Sequence, residues 1–221
     1  MNAITMSTKV SPFAKEVAQQ LLSLGAIEFK VKETVTWASG IVSPLYCDNR
    51  KINSNVGVRN FMVEAFIKTI ENFYPDVEVI AGVATGGMPL GVLIADRMNL
   101  PFIYVRQAPK GHGLKRQVEG DYSPGAKVVL IEDHVSTGGS SLKAVEGLRD
   151  AELNMLGLIS IMTYAFKKAE FLFYDNDVKY LSLCDLDTIV DVAFREGKIT
   201  KQDKDSILAF RDNPESWDKT R

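Results

Sequence analysis

Apolar positions along this chain recur at two different spacings. Val17, Leu21, Leu22 and Leu24 fall on one helical stripe, which Ser11 and Pro12 open and Gly25 closes. Residues 56–73 repeat that spacing, with Val58, Phe61, Met62, Ala65, Phe66 and Ile70 broadly on one side. Helices are also predicted from Pro89 to Met98, Gly139 to Asp150 and Leu186 to Glu196, with a weaker helical patch at Glu170 to Phe173. Between them lie compact apolar runs at 77–83, 101–105, 128–131, 154–161 and 180–183, and a β-like stretch at 29–36. The unbroken run Val128-Val129-Leu130-Ile131 points to a strand buried on both faces. Residues 1–10 read as frayed, and the chain from Asn213 is polar apart from Trp217.

Strand, glycine-bearing loop and helix in repetition predict an α/β fold with a mainly parallel sheet flanked by helices. Ligands of such sheets sit beyond the carboxyl ends of the strands. Three loops of unusual composition leave those ends, at 84–88, 106–120 and 132–140. The candidate chemistry therefore gathers in one region. A chain of 221 residues suits a single main domain with appendages at its ends.

Charge narrows the ligand class. A formal charge of −2 and a pI near 5.8 argue against a nucleic-acid binder, yet leave room for a small phosphorylated ligand in a local basic pocket. Cys47 and Cys184 stand far apart, and with only two histidines a structural zinc site has little material. Both cysteines read as packed small hydrophobes, and the cytoplasm suits them. Lys9 and Lys15 break the first apolar residues, so no export signal is expected, and no stretch approaches a membrane span.

The segment Glu132-Asp133-His134-Val135-Ser136-Thr137-Gly138-Gly139-Ser140 follows the buried run 128–131. Adjacent carboxylates at a strand end can accept hydrogen bonds from two ribose hydroxyls and help hold a nearby Mg²⁺ through water. Glycines admit an anion close to the backbone, and the amides opening a helix are unpaired donors. Diol grip and phosphate cradle together describe a binder of ribose 5-phosphate. No lysine follows the glycines, so the segment is not a Walker loop, and the spaced glycines of a dinucleotide fold are missing.

Two further loops complete the set. Ala84-Thr85-Gly86-Gly87 carries little side-chain bulk and reads either as an anion nest for pyrophosphate or as a close-packing turn. Arg106, Lys110 and His112 lie among glycines in 106–116, a run that is either a solvated loop or a cationic lid over a polyphosphate. His134 is expected to be packed or at the surface and is no general base. Met62 and Met98 read as core fillers.

Segment 128–140 resembles the phosphoribosyl-diphosphate signature of the type I phosphoribosyltransferases. Ser39-Gly40 through Ser43-Pro44-Leu45-Tyr46-Cys47-Asp48, the segment 82–89 and Arg106 through Lys110-Gly111-His112-Gly113 resemble its orotate branch, in the bacterial subgroup with Trp-Ala-Ser-Gly and Tyr-Cys-Asp-Asn-Arg. The likeness covers about residues 12–200. It implies a five-stranded parallel core over 51–200 and a small hood from residues 1–50 and part of 160–200. A C-terminal tail over 201–221 and a homodimer with shared active sites are also implied. It further implies Mg²⁺-dependent transfer from 5-phosphoribosyl 1-diphosphate to orotate. Glu132 and Asp133 would hold the ribose, Ser136, Thr137, Gly138, Gly139 and Ser140 the 5-phosphate, and Ala84, Thr85, Gly86 and Gly87 the pyrophosphate side. Arg106, Lys110 and His112 would act at the subunit boundary, with Ala38, Ser39 and Tyr46 near the pyrimidine.

The chain departs from that branch at several cations. Lysines common in other members are replaced by Ala38, Gly86 and Gln107, and Tyr164 matches an arginine that helps hold the orotate carboxylate. Lys51 is a candidate to restore charge. Transfer to another base, or a non-catalytic sensor of the sugar diphosphate, are the competing readings.

Overall fold

The computed structural model describes residues 9–107 and 117–217. The N-terminal part runs β1 (Lys9–Val10), α1 (Ala14–Ser23), β2 (Ile27–Phe29), β3 (Val35–Thr36), β4 (Val42–Ser43) and β5 (Leu45–Cys47). Then come α2 (Lys51–Ser54), α3 (Val56–Phe73), β6 (Val79–Val83), α4 (Met88–Met98), β7 (Phe102–Val105) and β8 (Val118–Glu119). The rest is β9 (Lys127–Val135), α5 (Gly139–Asp150), β10 (Asn154–Thr163), α6 (Lys167–Asp175), β11 (Tyr180–Asp185), α7 (Leu186–Arg195) and α8 (Lys201–Asp212).

Seven strands form one sheet in the order β1-β11-β10-β9-β6-β7-β8. Its five longer strands are parallel, as the resemblance implies. A two-residue strand extends each edge, parallel at β1 and antiparallel at β8. Side chains alternate between two buried layers, as a strand period of two requires. Val129 and Ile131 join the layer with α1, α3, α4, α7 and α8, whereas Val128 and Leu130 join α5 and α6. Both faces of β9 are therefore covered, which explains its unbroken apolar run. The described residues include no helix long and apolar enough to cross a membrane.

Three stretches differ from the pattern reading. The strand at 128–131 continues to Val135, because β10 keeps pairing beyond it: Glu132 with Ser160, His134 with Met162, Val135 with Thr163. The patch at 170–173 is a full helix, α6. The C-terminal tail is helical from Lys201 to Asp212, opened by a reciprocal Thr200–Asp203 capping box. Its Ile207 and Phe210 are fully buried, and Trp217 beyond it is nearly so. That segment is part of the core.

Aromatic packing ties this helix to the N-terminal region. Trp37, which opens the turn of the β3–β4 hairpin, lies 4.9 Å from Tyr164 and 6.0 Å from Phe210, ring centre to ring centre. Phe166 sits among all three, and Trp217 caps Phe210 at 5.6 Å. Such edge-on pairs add about 0.5–1.5 kcal/mol each beyond buried area.

Candidate active site

The site forms where the sheet divides. From β6 the chain moves outward to β7, then returns to β9 on the other side of β6, so the carboxyl ends of β6 and β9 border a crevice. Pairing between these two strands stops at Gly82 opposite Ile131. Beyond that point β6 gives way to Ala84-Thr85-Gly86-Gly87, while β9 runs on alone against β10 and carries Glu132, Asp133 and His134.

The turn after β6 requires its glycines because it lies against β9. A Cβ at Gly87 would stand 2.1 Å from the Ile131 carbonyl oxygen, and one at Gly86 would stand 2.5 Å from the carboxyl carbon of Asp133. The Gly86 backbone thus borders the Asp133 carboxylate directly. The Ala84–Thr85 peptide is cis. Gln107 donates to the Ala84 carbonyl at 3.5 Å, joining the start of the 106–116 segment to this turn.

The two acids have opposite electrostatic settings. Glu132 is buried, accepts from Ser141 Oγ at 3.2 Å and from the Asp133 amide at 3.1 Å. Burial raises its carboxyl well above the usual range, and the neighbouring Asp133 charge adds to the shift. Burial also pushes Asp133 upward, but His134 outweighs it and holds that carboxyl down at about 2. His134 Nδ1 lies 3.1 Å from Asp133 Oδ2, off the line of a good hydrogen bond, so the pairing is chiefly one of charge. For His134, burial favours the neutral ring, and Asp133 overrides it and raises the pKa. The two neighbouring carboxyls are thus shifted in opposite directions.

The turn into α5 is built by Gly138. Its φ of +81° and its contact with Leu172 and Phe173, 3.2–3.3 Å from a notional Cβ, both select glycine. No side chain caps α5, and the amides of Gly139, Ser140 and Ser141 have no backbone acceptor among the described residues. Three donors at a positive helix end suit a phosphate. Ser136 and Thr137 flank this end and are partly exposed, and Ser140 is exposed. Ser141, which the sequence reading passed over, is buried and holds Glu132.

Other expected residues are placed as follows. Arg106 pairs with Glu119 at 3.5 Å at the end of β7. Lys110 and His112 lie outside the described residues. Ala38 and Ser39 are exposed at the tip of the β3–β4 hairpin. Tyr46 is exposed on the face of β5 it shares with Glu28, where Arg50 Nη2 donates to its hydroxyl at 3.4 Å. The Lys51 ammonium is held by the Gly25 carbonyl at 2.7 Å and Glu28 at 3.3 Å. Tyr164 is buried in the aromatic cluster, its ring centre 6.2 Å from that of His134.

The sequence reading also missed Asn49. It is buried, and its amide donates to the Asp133 carbonyl at 3.0 Å. Cys47, which reads in the sequence as a packed hydrophobe, donates from its thiol to Asn49 Oδ1 and lies 3.6 Å from Met162 Sδ. Burial pushes that thiol far above its usual range, so it stays protonated. No group of three His, Cys, Asp or Glu side chains able to hold a metal occurs among the described residues.

The chain is similar to known proteins of one family. Residues 61–193 match the family model described as the phosphoribosyl transferase domain. Orotate phosphoribosyltransferase of Bacteroides thetaiotaomicron is 44% identical over 201 residues, 91% of this chain and 95% of that protein. The Listeria monocytogenes protein of the same name is 42% identical across 93% of this chain and 98% of its own length. The crystal structure of orotate phosphoribosyltransferase from Aeropyrum pernix superimposes with a TM-score of 0.72 at 28% identity, covering 83% of this chain and 99% of that one. With this domain match and these relatives, the chain belongs to the type I phosphoribosyltransferase family, in its orotate branch.

Proposed function

We propose that this protein transfers the 5-phosphoribosyl group from 5-phosphoribosyl 1-diphosphate to orotate, giving orotidine 5′-monophosphate and diphosphate. The observation that carries the chemistry is the meeting of Asp133, Glu132 and the open amides of α5 at the crevice between β6 and β9. The similarity to orotate phosphoribosyltransferases over nine-tenths of the chain supports the choice of base.

Asp133, whose carboxyl is held low, accepts from the ribose hydroxyls, and Glu132, oriented by Ser141, provides the second carboxyl group beside it. The amides of Gly139, Ser140 and Ser141, with the Ser136 and Thr137 hydroxyls, hold the 5-phosphate. Ala84–Gly87 lines the diphosphate, and Arg106, Lys110 and His112 neutralise the charge that grows on it as it leaves. C1–O cleavage runs ahead of bond formation, giving the sugar oxocarbenium character. Orotate is already anionic, so alignment counts for more than a strong base. Ala38, Ser39 and Tyr46 border the ring, and a second copy of the chain contributes the lid in a homodimer.

Asp133 and Glu132 fit Mg²⁺ held through water, since this cation commonly takes one or two carboxylates plus substrate phosphates. When bound, it neutralises diphosphate charge. The test is incubation with orotate, sugar diphosphate and Mg²⁺, following loss of orotate absorbance beside a metal-free control. Uracil, adenine and hypoxanthine run in parallel. Turnover with orotate and metal alone is expected. Faster turnover of another base, or none with orotate, overturns the assignment.

A further inference from the structure

Asp133 occupies an unusual position in the sheet. The β6–β9 ladder has ended two residues earlier, at Gly82 opposite Ile131. On the other side β10 pairs with Glu132 and His134, the residues that flank Asp133. The β10 register passes over Asp133 itself and resumes beyond it, where the Tyr164 amide donates to the Val135 carbonyl, so regular pairing is interrupted at Asp133. Buried backbone groups need partners, and an open strand end next to a reaction centre would be free to shift. Two side chains take up the missing ladder. Glu132 Oε1 accepts from the Asp133 amide at 3.1 Å, and Asn49 Nδ2 donates to the Asp133 carbonyl at 3.0 Å.

Asn49 is well placed to act as a fixed strut. It is 5% exposed, and its other amide atom accepts from the Cys47 thiol at 3.4 Å, which sets which way the amide faces. Cys47 closes β5, and β5 pairs with β2 to form the sheet of the N-terminal segment. A single side chain therefore links the segment expected to border the base to the strand end expected to grip the sugar.

We infer that Asn49 is a positioning residue: by capping the Asp133 carbonyl it fixes the carboxylate for the ribose hydroxyls and couples the N-terminal segment to sugar binding. This rests on the proposed assignment of Asp133 to the ribose. Asn49→Asp keeps the shape but sets a carboxylate oxygen against the Asp133 carbonyl, turning attraction into repulsion.

The test is titration calorimetry with Mg²⁺, using 5-phosphoribosyl 1-diphosphate and, separately, inorganic pyrophosphate as probes. Thermal unfolding establishes that each variant is folded. Asn49→Asp should weaken the sugar diphosphate at least fivefold while pyrophosphate, which lacks the ribose, stays within twofold. Asn49→Ala should give the same split and replaces Asn49→Asp if that protein fails to fold. Equal affinity of parent and folded variant for the sugar diphosphate overturns the positioning role and leaves the proposed reaction standing. An equal loss for both probes also overturns it, since that marks general damage. A parent protein that binds no sugar diphosphate overturns both.

Discussion

The proposed sugar-phosphate end and the proposed base end of this site are built in opposite ways. Glu132 to Ser141 holds two acids, a left-handed glycine and three open amides within ten consecutive residues. The region around the N-terminal hairpin collects Trp37, Cys47 and Asn49 with Met162, Tyr164, Phe166 and Phe210 from the far half of the chain. One is written as a continuous motif, and the other exists only after folding. Contiguity keeps the geometry local, whereas the assembled region depends on the whole core.

The largest expected effect breaks the assembled region at its most remote member. Phe210→Ala removes a fully buried ring from the cluster around Trp37, and about 3–5 kcal/mol of stability should be lost in urea unfolding. Its orotate KM should rise more than its sugar diphosphate KM. A matching rise in both would mean that the cluster supports the entire site and not the base end. Next comes the cationic segment, known only from sequence. Lys110→Ala should lower kcat about a hundredfold, which corresponds to about 2.7 kcal/mol at the transition state, with an unchanged Tm. Normal turnover would show that the segment is a solvated loop.

A smaller change sharpens the contiguous end. Gly86→Ala places a methyl within 2.5 Å of the Asp133 carboxyl carbon, and the flexible carboxylate must yield. Sugar diphosphate KM should rise about tenfold, close to 1.4 kcal/mol, with little loss of stability. An unchanged KM would free Asp133 from any fixed role. The smallest effect is in pH. Asp133, held at about 2, adds stability that is present above the ordinary carboxylate range and is lost as pH falls through its folded value. His134 is raised, so its share is full below the ordinary histidine range and disappears as pH rises through the raised value. His134→Asn should flatten both limbs of the urea midpoint against pH, and an unchanged profile would remove the pair as the cause.

Much of the fold could be read from periodicity because each long strand of the sheet is covered on both faces and each flanking helix on one. The helix α8 escaped because its buried face is narrow, Ile207 and Phe210 among charged neighbours, although the Thr200–Asp203 box marks its start. The extension of β9 through Glu132 and Asp133 was hidden by their charge, which argues against a strand interior until the crevice beside them is known. Asn49 stands in the Tyr-Cys-Asp-Asn-Arg run, yet nothing in that run marks its role. Its place against the Asp133 carbonyl exists only once the chain has folded.

The central claim is that the carboxylate pair on β9 grips the ribose hydroxyls while the start of α5 takes the phosphate. Calorimetric comparison of ribose 5-phosphate with 2-deoxyribose 5-phosphate, in the parent protein and in Asp133→Asn, tests it most directly. Loss of the 2-hydroxyl should weaken binding at least tenfold in the parent, and the two sugars should become nearly equal in the variant. Equal binding of both sugars by the parent, or a preference that survives in the variant, would contradict the account.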